Sequence, residues 1–331
     1  MNKKPKTILV CPLNWGLGHV SRDVPIIRRL LKKNYRVIVA GDKIILDFIR
    51  SEFPNIETEL LPGIKICYSR SNSQTITLLR QLPAAILWLF REKKLTAKLV
   101  KKYNPAFIIS DNRYGVRHSK VKSIIITHQL MLKLPKSIIF LEKIVNKLIK
   151  TLVLRFDYCW IPDNPLPYSL AGDLVHKYPL PKNAQLIGPL SRFMDEYPHS
   201  TLEKKYDLLA IISGPEPQRT ILQNKLTEKL SSENINSLII AGTLKEKTTN
   251  ETSKNIKIVP HLKSSVLADY IINTPVIVSR SGYSTIMDLW YLKKNAILIP
   301  TPGQTEQEYL AKISAKLHHI CVEQSKIDTF R

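Results

Sequence analysis

Short β-branched runs alternate with stretches of helical periodicity along most of the chain. Residues 7–11, 36–40, 106–110, 123–127, 157–161 and 185–187 read as strands in the first half. In the second half 207–212, 237–241, 256–259, 276–278 and 296–299 read the same way. Continuous apolar strands of this kind suit a parallel sheet covered on both faces. Helices are predicted from about 19 to 33, 47 to 53, 78 to 90, 138 to 156 and 220 to 230. Residues 54–75 and 245–255 read as irregular polar segments. In 138–156 the apolar positions 141, 144, 145, 148, 149 and 152 predict a core-facing stripe, with Lys143, Lys147 and Lys150 on the other side.

The polar clusters fall just after strands. Asn14, Gly16, Gly18, His19 and Arg22 follow the first strand, and Asp111, Asn112 and Arg113 follow that of 106–110. Ser213, Gly214 and Arg219 follow 207–212, and His261 follows 256–259. Arg280, Ser281, Gly282, Ser284 and Thr285 follow 276–278, with Ser284 or Thr285 able to cap the next helix. Gln304, Thr305, Glu306 and Gln307 follow 296–299. Open α/β sheets bind ligands at strand C-termini. Two α/β halves facing each other across a ligand cleft are the expected architecture. The Gly-Pro turn at 188–189 and the polar stretch 195–205 divide them into domains 1–192 and 193–331.

His19 lies at a helix N-terminus, where the dipole disfavours its protonated form, so a neutral imidazole there suits a general base. The plainer reading is a glycine turn with a structural histidine. Asp111 to Arg113 could equally form an Asx turn. The segment at 213–219 offers a glycine and a helix start for phosphate, but Pro215 and Pro217 remove two donors.

The charge is unevenly placed along the chain. Of the 50 Lys and Arg, 33 lie in residues 1–195, against 13 of the 27 Asp and Glu, so that segment holds +20 of the net +23. An anionic partner for the first half is one explanation and a solvated surface the other. The four cysteines are widely scattered, which argues against a metal site or a disulfide frame and fits a reducing cytoplasm. No segment reads as a signal peptide or a membrane span. A cytoplasmic protein, peripheral on the inner face of the plasma membrane, is the expectation.

Gly16-Leu-Gly-His19 together with Ser279-Arg-Ser-Gly-Tyr-Ser-Thr-Ile-Met-Asp288 resembles the GT-B glycosyltransferases of family 28, which include the lipid-II-forming GlcNAc transferase and the plant galactolipid synthases. The likeness is strong over 257–311, moderate over 8–22 and faint across 60–200. It implies a GT-B fold of two Rossmann-like domains, the first for acceptor and the second for a UDP-sugar. It places Arg280 to Ser284 and Thr285 near the diphosphate and Asp288, where the family usually has Glu, on the ribose. It sets Gln304 to Gln307 near the sugar and His261 near the uracil. Ser213 and Gly214 match the pyrophosphate loop loosely.

The resemblance further implies inverting transfer without a metal or other cofactor, with His19 as base and Asp111 as second candidate. The sequence agrees in lacking an Asp-x-Asp cluster after a strand. The implied acceptor is a lipid-linked molecule or a glycan, and no nucleic acid is expected as partner. Two rivals are a UDP-GlcNAc epimerase-like enzyme and a nucleotide-sugar-binding protein without turnover. Family members usually continue further past the last motif than the roughly twenty residues found after Ala311.

Overall fold

The computed structural model describes residues 5–64, 74–195, 206–214, 216–244, 250–253 and 255–329. The chain forms two compact units, the first running through Leu190 and the second starting at Ser191, with residues 16–18 grouped with the second.

The first unit has the elements β1 (Thr7–Cys11), α1 (Leu17–Lys32), β2 (Arg36–Gly41), α2 (Lys43–Glu52), β3 (Glu57–Leu60), α3 (Gln74–Tyr103), β4 (Phe107–Asp111), β5 (Lys122–Ile126), α4 (Glu142–Val153), β6 (Tyr158–Ile161), α5 (Asp173–His176) and β7 (Ala184–Leu186). Its strands pair in the order β3-β2-β1-β4-β5-β6-β7, all parallel. The order reverses between β1 and β4, where Cys11 pairs with Ser110. Leu9, Ile38 and Ile108 are fully buried in the core beneath. The loops leaving β1 and β4 therefore diverge at the point where such sheets take ligands.

The second unit has β8 (Leu208–Ile211), α6 (Gln218–Ser232), β9 (Ser237–Ile240), β10 (Asn250–Ser253), β11 (Ile256–Val259), α7 (Ser264–Asn273), β12 (Val276–Ser279), α8 (Tyr283–Tyr291), β13 (Ile297–Leu298), α9 (Thr305–Ser314) and β14 (Ile320–Cys321). The order is β10-β11-β9-β8-β12-β13-β14, parallel except for the antiparallel edge strand β10. Its reversal lies between β8 and β12. Ala210, Leu222, Leu226 and Ile239 pack the core on one side of this sheet.

Several expectations change. Residues 54–75 contain β3, whose sequence Glu-Thr-Glu-Leu carries no apolar run because it is an edge strand with little to bury. The polar stretch 69–73 and most of 245–255 lie outside the described residues, but 250–253 is a strand. Helix α3 extends well beyond 78–90 at both ends. Gly282 rather than Ser284 or Thr285 takes the N-cap position of α8, because the helix starts one residue before Ser284. Helix α4 departs most. Its buried residues are Glu142, Ile149 and Val153, while Ile144 and Leu148 are 66% and 59% exposed. The helix is turned so that two of the six expected core positions face outward beside Lys143 and Lys147. Glu142 holds that orientation through Tyr178 Oη at 2.8 Å and Lys177 Nζ at 2.5 Å.

Candidate active site

In the first unit, β1 ends at Cys11 and the chain turns into α1, whose third residue is His19. Asp111 is the last residue of β4, the next strand across the switch point. This topology brings the two base candidates together, with His19 Nδ1 3.1 Å from Asp111 Oδ2. Arg22, one helical turn on, lies against both. Its Nε donates to Asp111 Oδ2 at 3.0 Å, and Nη2 donates to Asp111 Oδ1 and stands 3.0 Å from His19 Nδ1. Its Nη1 is 3.0 Å from His128 Nδ1, at the end of β5.

Asp111 is fully buried and His19 partly exposed. Burial alone would lift the Asp111 carboxyl, but Arg22 and His19 outweigh it and hold it below the usual carboxylate range. Nδ1 faces both the Asp111 carboxylate and the Arg22 guanidinium, and the tautomer whose Nδ1 proton points to the carboxylate carries its lone pair on Nε2. Among the described residues Nε2 makes no hydrogen bond within the protein. The arrangement has the chemistry of an oriented general base. The next residue, Asp23, is also wholly buried. Burial, and then the Asp111 charge, push its carboxyl well above the usual range.

Of the remaining candidates in these loops, Asn14, Asn112 and Arg113 bond to groups of the protein itself. Asn14 Nδ2 donates to the Ile64 carbonyl at 3.3 Å. Asn112, at a left-handed φ of 53°, accepts from Thr127 Oγ1 and donates to Gln129, bracing the ends of β4 and β5. Arg113 is buried against Glu92 at 2.9 Å and against the carbonyls of Leu61 and Pro62. Gly16 has φ +98°, the turn that the sequence requires there.

In the second unit the flagged loops flank the β8–β12 switch point. Gly214 has φ +103° with open space around it. Arg219 is tied to Glu216 and, by Nη1 at 3.0 Å, to the Gly242 carbonyl. Gly242 itself has φ +68°, and a Cβ there would meet the Ile212 carbonyl oxygen at 2.2 Å. Arg280 is fully buried, its guanidinium donating to the carbonyls of Ile299, Pro300 and Gln218. It therefore clamps β12, the end of β13 and the start of α6, and does not project as a surface cation. Burial lowers its pKa to about 10.

Ser281 Oγ donates to the Gln307 carbonyl at 2.8 Å, and the Gln307 side chain accepts from Thr301 N at 2.9 Å. The 279–285 and 301–307 loops are thus joined, with Gln307 turned inward. Gln304 takes the N-cap position of α9, followed by Thr305 and Glu306 in its first turn. Asp288 is buried in α8. Ser191 Oγ and Arg192 N donate to its Oδ1 at 2.6 and 3.2 Å, and Arg192 Nε donates to Oδ2 at 3.1 Å. Burial raises its carboxyl pKa despite these partners. Burial and the Arg192 charge lower the pKa of His261 to about 4.

The sequence reading missed Ser191, Arg192, Asp23 and the place of His128 in the network. His128 and Gln129 stand at a strand end, as the other candidates do, and that signal was available. Nothing local marks Arg192, whose partner lies 96 residues away.

Residues 217–331 match the Glycosyltransferase family 28 C-terminal domain. Similar solved structures include the spinosyn rhamnosyltransferase SpnG, at 11% identity over 98% of this chain and 90% of its own, with a TM-score of 0.63. Arabidopsis thaliana UGT89C1 complexed with UDP-L-rhamnose matches at 14% identity over 99% and 89%, with a TM-score of 0.57. The glycotransferase of kitacinnamycin matches at 12% over 98% and 87%, with a TM-score of 0.62. No curated protein matches the chain. Fold and domain together define a GT-B glycosyltransferase. Within that class, the likeness to family 28 lies in residues 217–331, which match its C-terminal domain.

Proposed function

We propose that this enzyme is an inverting transferase that moves a hexose or N-acetylhexosamine from a UDP-sugar to a lipid-linked or glycan acceptor. The observation that carries the reading is the His19–Asp111 pair at the switch point of the first sheet. His19 Nε2 takes the proton of the acceptor hydroxyl, and the oxygen attacks the anomeric carbon. The bond from that carbon to the diphosphate breaks, and UDP leaves with its electron pair, so configuration inverts. Asp111 steadies the imidazolium that forms. The second unit holds the donor, with Asp288 on the ribose and the 213–214, 280–285 and 304–307 loops around diphosphate and sugar. No metal or other cofactor is assigned a role in the reaction.

The acceptor side is placed at the cytoplasmic face of a membrane. Among the described residues no helix is long and apolar enough to cross one. Support for a peripheral site comes from α4 and the turn before it. There Ile139, Phe140, Ile144 and Leu148 are exposed beside Lys143 and Lys147, the composition of a surface lying on anionic lipid. The test is a panel of nucleotide sugars screened for thermal stabilisation, followed by transfer with the best donor. His19→Ala is expected to keep the stabilisation by UDP and lose transfer. Wild-type turnover in that variant would remove His19 as base, and the absence of any shift with UDP or UDP-sugars would remove the donor.

A further inference from the structure

The Asp288 carboxylate is already engaged. A carboxylate offers about four lone-pair sites. Ser191 Oγ and Arg192 N occupy Oδ1, and Arg192 Nε occupies one site on Oδ2. Ser191 is fully buried and the Asp288 side chain is 7% exposed, so the contact also covers the group. Holding both hydroxyls of a ribose requires two acceptor sites open to a ligand. At least one of the present bonds has to break first. The three donors belong to the first two residues after the junction between the units.

We propose that Ser191 and Arg192 are positioning residues of the donor site. They compete with the nucleotide's ribose for Asp288, and donor binding releases the segment that joins the two units. The proposal rests on the reading of Asp288 as the ribose carboxylate. It makes the 191–192 segment a sensor of the ribose diol in particular, because only a hydroxyl donor replaces what Asp288 gives up. A site whose competent form is only partly populated binds more weakly by that fraction. Weakening the contact therefore tightens UDP binding.

Two amides report on the contact directly. Arg192 N donates to Asp288, and Phe193 N donates to Ser191 Oγ at 3.2 Å. Hydrogen exchange on the full chain, with saturating UDP, is expected to speed up at these two amides. Saturating 2′,3′-dideoxyuridine diphosphate, which lacks the diol, is expected to leave them protected. Ser191→Ala and the charge-conserving Arg192→Lys are expected to bind UDP roughly 5- to 10-fold more tightly, with affinity for the dideoxy probe unchanged. Unchanged or weaker UDP binding in both variants, or amides equally protected with and without UDP, would overturn the competition. Asp288→Ala separates the two levels. If it binds UDP like wild type, the ribose reading itself fails. If it loses UDP while the other two variants gain nothing, only the competition fails.

Discussion

Asp111 Oδ2 stands 3.1 Å from His19 Nδ1, although 92 residues of chain separate them. Neither side chain alone makes an oriented base. A histidine has two tautomers, and the one whose Nδ1 proton points to the carboxylate leaves Nε2 bare. Asp111→Asn is expected to lower transfer by about 100- to 10,000-fold while UDP binding is kept. Because the two act as a unit, the His19→Ala/Asp111→Asn double variant should lose little more than the worse single one. Transfer rates of the three variants, read with UDP affinity as the folding control, check this. Additive losses would mean that Asp111 acts apart from His19.

Arg113 carries stability and no chemistry. Its guanidinium is enclosed by Glu92 and by the carbonyls of Leu61 and Pro62, and Glu92 Oε2 in turn accepts from Gly115 N at 3.2 Å. Removing one partner of a buried pair strands the other charge, at a cost of about 3–5 kcal/mol. Glu92→Ala should lower the urea midpoint accordingly, and Glu92→Gln, which keeps an acceptor, should lower it less. A midpoint within error of wild type for Glu92→Ala would contradict the buried pair.

His261 gives a pH signature. Its folded pKa of about 4 lies below the ordinary value of 6.5, through burial and then the Arg192 charge. Between those two values the unfolded chain binds the proton and the folded chain does not. Stability is therefore lost as pH falls from 6.5 toward 4, by on the order of 3 kcal/mol over the whole window. Asp288 works in the opposite sense, because its folded pKa is raised and its contribution grows on acidification. Thermal melts of wild type and His261→Gln isolate the histidine. The variant should lose less stability over this range, and parallel curves would remove His261 as the cause.

Much of the fold was legible because buried parallel strands announce themselves as β-branched runs, and the parallel order placed their C-terminal loops. Strands whose sequence carries no apolar run were missed, as with Glu57–Leu60 and Asn250–Ser253. The site was legible by residue type, less so by role. His19 and Asp111 were both visible as polar residues after strands, but their pairing depends on β1 and β4 being neighbours. Arg280 and Arg113 show the limit from the other side. An arginine at a strand end looks like an anion ligand, yet here the nearest acceptors are backbone carbonyls and a buried glutamate. Periodicity misled in α4 because its apolar residues cover more than one face, and contacts such as those of Glu142 and Asn146 fix which face turns in.

Ile144 and Leu148 lie one turn apart on α4, flanked by exposed Lys143 and Lys147, so apolar insertion and attraction to anionic headgroups act on one surface. Replacing both by Asp removes buried area only when a bilayer is present. In solution, substitutions at such exposed positions should each change stability by no more than about 0.5 kcal/mol. Sedimentation with phosphatidylglycerol vesicles is expected to pull down the wild-type protein and to fail with Ile144→Asp/Leu148→Asp. Lys143→Gln/Lys147→Gln should weaken binding and reduce its sensitivity to salt, since screening acts on the charged part alone. If the aspartate variant sediments as well as wild type does, α4 is not the docking face, and the exposed stripe is a feature of the protein surface alone.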